Sequence, residues 1–365
     1  MMRPGQILAL IGAGAVLVGA GLWLASRQGN NSSALDAPGP VLALRQHDLN
    51  GVTRLHIYKG DGSHTTLARE ASRWLVRERG YPADTGQVRK LLLDLASLQV
   101  EEQKTADPAL YAKLGVEDPK NFQSASTGLD IDVNGSTLGL IVGRSYGTRS
   151  VFLRVRGQGR SLLATPQLTP DADPRHWLDR SVLDIAPERI TEVDMKPQGG
   201  PDYTIKRTGT DFAVTPIPKG RVLGDPAAAG SQVGALAGLQ LDDVRKAGTQ
   251  AAVAHAIYLT RDGLTLTLAG IQQAEQRYVT IAVSGSSPAA QMQARDLNAR
   301  LAGWEFEVPG YRYDSLFRPL EPLLQPKRVA AAGSSAPARR PAGVPARLPF
   351  GPQAGQDKVT PQRSH

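Results

Sequence analysis

VTRLHIY, at residues 52–58, recurs as ITEVDMK at residues 190–196, and this repetition decides how the chain folds. RWLV (73–76) recurs as DFAV (211–214) at the same offset of 138 residues. Two further pairs follow in the same order: LQVEEQK (98–104) with LQLDDVR (239–245), and VNGSTLGL (133–140) with RDGLTLTL (261–268). Since the order is kept and the offsets drift only between 128 and 141, we predict two copies of one supersecondary unit.

Each copy is predicted to combine antiparallel strands with one helix. The alternation in TRLHIY is typical of a half-buried strand, and pairs such as Asn134-Gly135 and Asp262-Gly263 favour tight hairpin turns. In the first copy Asp84 can cap a helix with Gln87 three residues later. Apolar residues then follow at helical spacing: Val88, Leu91, Leu92, Leu95 and Leu98. The pattern predicts the α+β class, with one Leu-rich helix in each copy.

The helix of the second copy is expected to be the weaker one. Asp225 takes the place of the first cap, and the apolar stripe is Val233, Leu236 and Leu239. Three glycines interrupt this helix and each costs up to about 1 kcal/mol relative to alanine: Gly230, Gly234 and Gly238. Further along, AQMQARDLNARLAG is typical of a helix, and WEFEV of a strand that stops at Pro309.

The glycine-rich run IGAGAVLVGAG (11–21) indicates a membrane span rather than a nucleotide-binding turn. The dinucleotide motif needs a third glycine where this chain has Leu17, and its acidic residue would be Asp36, which lies in a linker. Residues 7–25 instead form an uncharged stretch of 19 residues, close to the ~20 needed to cross a bilayer. A cleaved signal peptide is the alternative, but bulky Trp23 and Leu24 disfavour cleavage. We expect an uncleaved anchor in the inner membrane with the body outside the cytoplasm.

The chain is therefore expected to divide into an anchor, a body and a tail. The predicted boundaries are an anchor at 1–27, a linker and first strand region at 28–51, a first unit at 52–170, a connecting segment at 171–189, a second unit at 190–325 and a disordered tail at 326–365. Of the net charge of +8, the tail carries +6, and Arg3 and Arg27 carry +2, so residues 28–325 are neutral. A neutral body argues against nucleic acid as a partner. There is no cysteine.

Two motifs in one region resemble functional sites without completing them. DIDVNG (130–135) matches the first half of a calcium loop, but Ile141 stands where the bidentate glutamate belongs. GRSYG (143–147) matches the nucleophile elbow of serine hydrolases, which requires a strand, a turn and then a helix. Here SVFLRV follows, which is typical of a strand, so a hairpin is expected. A hydrolase using Ser145 remains an alternative, with His176 or His255 as its base.

The remaining chemistry-bearing residues indicate a polar surface rather than a catalytic centre. No two of the six histidines have the spacing of a helical zinc site, although His56 and His64 flank one hairpin and are expected to be neighbours. Acidic pairs recur at the predicted ends of the two helices, at 101–102 and 242–243. We therefore expect no catalytic residue, no cofactor and no metal. The acidic pairs are expected to be solvated helix ends, with a shared polar contact surface as the alternative.

Several stretches of the first copy resemble a known bacterial family. GYPADTGQVRKLLLDLASLQVEEQKT, LGVEDP and HWLDRSVLDI look like DUF4340, a membrane-anchored family of unknown function often encoded beside gliding-motility-type ABC transporter components. The residues that carry the likeness are Trp74, Pro82, Asp84, Leu114, Gly115, Asp118, Pro119, Trp177 and Asp179. The resemblance covers roughly residues 70–190 and implies an envelope protein. It implies no catalytic residues.

Together these patterns predict a single-pass membrane protein with a role in a larger assembly. We expect residues 7–25 to bind the inner membrane and the body to act as a non-enzymatic accessory or scaffold subunit of a membrane complex such as an ABC-type transporter. The alternatives are an envelope serine hydrolase and a periplasmic module that binds a small ligand in the cleft between the two units.

Overall fold

Antiparallel sheets dominate the computed structural model of the chain, which describes residues 40–41, 46–120 and 122–327. The first repeat provides nine strands: β1 (Val52–Lys59), β2 (His64–Glu70), β3 (Arg73–Val76), β4 (Tyr81–Pro82), β5 (Gln99–Gln103), β6 (Thr127–Val133), β7 (Ser136–Tyr146), β8 (Ser150–Val155) and β9 (Ser161–Thr165). They form one sheet in the order β4-β3-β2-β1-β6-β7-β8-β9-β5. Every neighbouring pair in this order is antiparallel.

The remaining strands belong to the connecting segment and the second repeat. They are β10 (Ser181–Leu183), β11 (Ile190–Lys196), β12 (Tyr203–Thr208), β13 (Asp211–Thr215), β14 (Arg221–Leu223), β15 (Leu239–Gln240), β16 (Asp243–Lys246), β17 (Ala254–Thr260), β18 (Leu264–Gln273), β19 (Gln276–Gly285), β20 (Trp304–Glu307) and β21 (Leu324–Pro326). Eight of them form the second large sheet, in the order β13-β12-β11-β17-β18-β19-β20-β16.

The two large sheets have corresponding strands at corresponding places. β1 pairs with β2 and β6, and β11 pairs in the same way with β12 and β17. β5 and β16 both leave the helical region to become an edge strand, beside β9 and β20 respectively. The hairpin turn at Asn134 and Gly135 has φ angles of 50° and 79°, as the predicted tight turn requires. The order is the one expected from two copies of one unit, and the α+β prediction is confirmed.

Five α-helices accompany the sheets in the described residues: α1 (Thr85–Ala96), α2 (Tyr111–Leu114), α3 (Pro226–Val233), α4 (Pro288–Leu301) and α5 (Gly310–Leu316). The predicted cap of α1 is confirmed, because Asp84 Oδ1 accepts from the N–H groups of Gly86 and Gln87 at 2.8 and 3.1 Å. Leu98 was expected on the helix but lies beyond its end at Ala96. It is buried nonetheless, with 1% of its surface exposed.

The prediction of one Leu-rich helix per repeat is wrong for the second repeat. α3 contains no leucine and ends at Val233, and a 3₁₀ turn (Gly234–Leu236) follows it. Leu239, the last residue of the expected stripe, belongs to β15. The glycines explain the short helix, because each one adds backbone entropy that helix formation must overcome. The second repeat instead gains α4, which packs along β19.

The connecting segment joins the repeats through a buried tryptophan. A 3₁₀ helix (Pro174–Trp177) carries Trp177, which is 5% exposed and donates from Nε1 to the Asp171 carbonyl at 2.8 Å. The next strand, β10, then pairs with β15 of the second repeat. One continuous apolar core contains buried residues of both repeats, and the described residues up to Gln325 belong to one compact unit.

Two predicted segments fall largely outside the described residues. The span at 7–25 lies outside them entirely, and so does the tail at 326–365 apart from its first two residues. Among the helices that are described, none is both long enough and apolar enough to span a membrane. In the described part of the predicted first strand region before residue 52, Pro40 forms an isolated bridge with Gln99, and Gln46–Gly51 form a 3₁₀ helix.

Candidate functional site

A groove lies where the two repeats meet, and it has a volume of about 310 Å³. The first repeat contributes the turn after β3, and the second contributes β16 and part of β19. We call this surface the junction groove; its lining is Glu78, Arg79, Asp243, Val244, Arg245, Lys246 and Tyr278. A second cavity of about 430 Å³ shares Glu78 and Arg79 and extends toward the β1–β2 turn and the connecting segment.

Arg79 of the first repeat and Asp243 of the second form the central ion pair of the junction groove. Arg79 donates from Nε to Asp243 Oδ1 at 2.6 Å and from Nη2 to Asp243 Oδ2 at 2.8 Å. The side chains are 29% and 17% exposed. The hydrogen bonds to Asp243 raise the pKa of Arg79 above its ordinary value. A bidentate pair fixes geometry as well as charge, so this one holds the repeats in a defined orientation.

Arg245 lies in the same groove, and three side chains contact its guanidinium group. Its Nε donates to Glu305 Oε2 at 2.6 Å, and its Nη1 donates to Gln273 Oε1 at 2.7 Å. Its guanidinium carbon lies 3.7 Å from the centre of the Tyr278 ring. Glu305 is only 1% exposed and also accepts from the Gly248 N–H at 2.8 Å. Since a buried carboxylate without a cation is strongly unfavourable, Arg245 is required to neutralise Glu305.

An aromatic cluster joins the repeats next to Lys246. The Lys246 ammonium lies 3.5 Å from the centre of the Trp304 ring. Tyr81 of the first repeat meets Trp304 and Phe306 of the second edge-on, with ring centres 5.1 and 6.2 Å apart. Burial raises the pKa of Tyr81 to about 12, so its hydroxyl stays protonated near neutral pH. The contacts combine apolar burial with a cation–π interaction.

Glu307, at the end of β20, has an unusual charge environment. Its pKa is raised above the ordinary value, chiefly by burial and then by the negative charges of Asp243 and Asp242. Gln276 Nε2 donates to Glu307 Oε2 at 3.3 Å. The charged form of Glu307 is therefore disfavoured in the folded protein.

The predicted histidine neighbours border the second cavity. The rings of His56 and His64 have centres 5.9 Å apart, which confirms that they are close. His64 Nε2 lies 3.9 Å from Glu78 Oε1, and both Glu78 oxygens accept from the Thr66 N–H, at 2.8 and 3.0 Å. Burial lowers the pKa of His56. Within the described part of the chain, no group of three or more His, Asp or Glu side chains is arranged to hold a metal ion.

Ser145 lies on strand β7 opposite Val151 of β8. Its Oγ accepts from Gln167 Nε2 at 2.8 Å. A short turn at 147–149 follows, with Gly147 at a φ of +62°, and then β8 begins. The expected hairpin is confirmed, and the local order is strand, turn and strand rather than the strand, turn and helix of a nucleophile elbow.

The aspartates of the calcium-like motif are paired with arginines. Asp130 Oδ2 accepts from Arg156 Nη1 at 2.8 Å. Asp132 accepts from Arg54 Nε and from Thr137 Oγ1, both at 2.7 Å. The two carboxylates thus face the outer side of the first sheet, as the alternation predicts, and are engaged by strand neighbours.

The acidic pairs of the two repeats were expected at helix ends, but they do not lie there. Glu101 and Glu102 are on β5, and Asp243 begins β16, because the chain turns into an edge strand soon after each helical region. Their contacts differ as well: Glu102 pairs with Lys104 at 2.5 Å within the first repeat, whereas Asp242 pairs with Arg180 of the connecting segment at 2.6 Å. The second pair is the one that joins separate parts of the body.

Arg79, Tyr81 and Lys246 were not singled out from the sequence. Each follows or belongs to a short strand without any motif of its own. Arg79 and Asp243 are 164 positions apart, so no local spacing could indicate their contact. The only available signal was the repeat itself, which aligned the β16 segment with an edge strand of the first repeat.

Comparison with known proteins identifies a family but no individual related protein or solved structure. Neither curated proteins nor solved structures yielded a match to the chain. One family model matches residues 74–256, from Trp74 in β3 to Ala256 in β17. This range covers half of the chain and includes the whole connecting segment and both sides of the Arg79–Asp243 pair. The chain therefore belongs to the family of domains of unknown function designated DUF4340.

Proposed function

We propose that this protein is a membrane-anchored, non-enzymatic accessory or scaffold subunit of a membrane complex, such as an ABC-type transporter. Residues 7–25 anchor it in the inner membrane, and the body lies on the extracytoplasmic side. The observation that carries the proposal is the junction between the repeats. There the charged and aromatic side chains contact one another across the two sheets and join them into one body.

The electrostatics of the junction favour a structural role for its charged residues. Arg79 is bound to Asp243 and Arg245 to Glu305, so these cations and acids neutralise each other. A body of two fused sheets offers a fixed frame on which partner subunits can be positioned.

The experiment that tests the proposal is affinity purification of the full chain from detergent-solubilised membranes. We expect other integral membrane subunits to co-purify in fixed ratio. An unrelated single-pass protein with the same tag is the control. A chain that purifies alone after chemical cross-linking in the membrane contradicts the scaffold role.

The serine hydrolase alternative has its own test. Because Ser145 lies on a strand and is hydrogen-bonded to Gln167, we expect the full chain to be unreactive toward a fluorophosphonate probe. Ser145→Ala should then leave the melting temperature and the co-purified partners unchanged. Labelling of the parent chain that is lost in Ser145→Ala would favour the hydrolase instead.

A small-ligand module is a second candidate, favoured by the size of the junction groove. Its volume of about 310 Å³ and the adjoining 430 Å³ fall within the ~300–1,000 Å³ typical of ligand sites. Thermal-shift screening of the full chain with small organic anions tests this candidate. A shift that is lost in Lys246→Gln, whose ammonium has no ion pair within the described residues, would support a ligand in the groove.

A further inference from the structure

One end of the first sheet exposes aromatic and basic side chains together. Tyr146, the last residue of β7, is 60% exposed, and its ring meets Phe152 edge-on at 5.6 Å between centres. Phe122 is 83% exposed and lies on the segment that leads into β6. The first residue of β6, Thr127, pairs with Val142 near the end of β7. The two exposed aromatic residues therefore belong to the same end of the sheet.

Two arginines lie near Tyr146 in the chain. Arg144 and Arg149 flank Tyr146, are exposed, and form no ion pair within the described residues. We call Phe122, Arg144, Tyr146 and Arg149 the aromatic–basic end. Glu117 and Asp118 precede Phe122, and Asp118 is bound to Arg154 Nη2 at 2.9 Å. Asp61 lies in the β1–β2 turn at the same end of the sheet.

The chain enters the body at the same end of the sheet. Pro40 forms a bridge with Gln99 at the start of β5. Gln99 pairs with Thr165 of β9, and Thr165 Oγ1 donates to the Arg149 carbonyl at 3.1 Å. With neighbouring strands ~4.8 Å apart, Pro40 is about 15 Å from the β7–β8 turn.

The distance to the predicted anchor is also limited. The span at 7–25 lies outside the described residues, and 14 residues separate it from Pro40. Even fully extended, these residues reach at most ~50 Å. Since this segment joins the body about 15 Å from the β7–β8 turn, it is long enough for the aromatic–basic end to reach the bilayer that holds the span.

We propose that the aromatic–basic end docks on the anionic phospholipid surface of the membrane that holds the span. Tyr146 lies at the level of the headgroups, where partly polar aromatic rings are favoured, and Phe122 buries its apolar ring at the boundary with the acyl chains. Arg144 and Arg149 contact lipid phosphates, and each basic residue near such a surface contributes about a fivefold preference for the docked state. The proposal rests on the anchor in the proposed function and adds the orientation of the body.

The test uses the full chain, which has no cysteine of its own. A single cysteine at Thr148, in the β7–β8 turn, carries an environment-sensitive fluorophore. The control position is Ser136, which is exposed at the other end of β7, ~33 Å away. Both labelled chains are reconstituted into vesicles of equal parts phosphatidylcholine and phosphatidylglycerol that contain a headgroup-attached quencher.

We expect quenching at position 148 and not at position 136. Replacing both Arg144 and Arg149 by Gln should lower the ratio of docked to undocked chains roughly 30-fold, and vesicles of phosphatidylcholine alone should lower it similarly. Tyr146→Ser should also weaken docking. The matched controls are Arg295→Gln and Tyr311→Ser, which alter an exposed arginine and an exposed tyrosine of the second repeat.

The outcomes separate the docking proposal from the anchor. Equal quenching at both positions, in a chain that stays with the vesicles through an alkaline carbonate wash, overturns docking and leaves the anchor standing. A chain that the wash removes from the vesicles overturns the anchor, and the docking proposal with it. An emission shift at position 148 without quenching by the lipid overturns docking in favour of a protein contact.

Discussion

At the scale of single residues, Trp177 is the largest buried side chain of the connecting segment. It is 5% exposed, and its indole N–H is satisfied by the Asp171 carbonyl. Trp177→Ala should lower the free energy of unfolding by about 3–5 kcal/mol, because it removes a large buried side chain and leaves a cavity. Denaturant unfolding of the full chain measures this loss. Phe122→Ala is the control, since an 83% exposed ring should change stability by less than about 0.5 kcal/mol.

The second prediction at this scale concerns Glu307 and pH. The pKa of Glu307 is raised in the folded state, so protonation of Glu307 favours folding. This contribution to stability is present below the ordinary pKa of 4.5 and is lost as the pH rises through the pKa of the folded state. Glu307→Gln should therefore stabilise the protein at pH 7, and the gain should shrink toward pH 4. Melting temperatures of parent and variant across this range measure the effect. A parent that is the more stable protein at pH 7 would contradict the assignment.

At the scale of secondary-structure elements, α4 completes the sheet of the second repeat. β20 pairs with β19 only at Tyr278 and Val279, which leaves the rest of that strand edge open. Asn298 of α4 fills part of this gap: its Oδ1 accepts from the Val283 N–H at 2.9 Å, and its Nδ2 donates to the Val283 carbonyl at 2.7 Å. The helix thus supplies hydrogen bonds that a neighbouring strand would otherwise provide.

Asn298→Ala tests this role of α4. It leaves two backbone groups of Val283 without their partner and should cost about 1–3 kcal/mol of unfolding free energy. Amide hydrogen exchange at Val283 should accelerate in the variant. Gln291→Ala, an exposed position on the same helix, is the matched control and should change neither quantity. An unchanged exchange rate at Val283 would show that the edge does not depend on the asparagine.

The β7–β8 hairpin depends on one glycine. Gly147 has a φ of +62°, in the left-handed region that β-branched residues rarely adopt. Gly147→Val should destabilise the full chain by about 1–2 kcal/mol. Thr148→Val, at the next position of the same turn, should have a much smaller effect in the same unfolding experiment. Equal losses in the two variants would argue against a conformational cause.

At the scale of the whole molecule, the ion pair between the repeats predicts energetic coupling. Arg79→Met, Asp243→Asn and the double variant form a double-mutant cycle. Because the pair is bidentate and mostly buried, the coupling should be about 1–3 kcal/mol. Lys90 and Asp94, an exposed pair within α1, provide a control cycle in which about 0.5 kcal/mol is expected. The parent should unfold in one cooperative transition; two separate transitions would mean that the repeats are independent.

The sequence by itself determined the features that depend on neighbouring residues. The repeated segments revealed the two copies, the alternation revealed their strands, and Asp84 and Asn134-Gly135 marked a helix start and a hairpin turn. Family membership was also readable, because its residues lie in one continuous stretch around the first helix and Trp177. Each of these features has a fixed local period or a fixed local backbone geometry.

Only the tertiary structure decided which distant segments meet. Glu101, Glu102 and Asp243 lie on edge strands because β5 and β16 cross to the far side of their sheets, and no local pattern specifies that crossing. The contacts of Arg79 with Asp243, and of Tyr81 with Trp304, join residues of different repeats. Apolar periodicity shows which face of an element is buried, but it does not indicate which other element packs against that face. The junction groove and the aromatic–basic end of the first sheet arise from that choice of neighbours, which packing of the whole body determines.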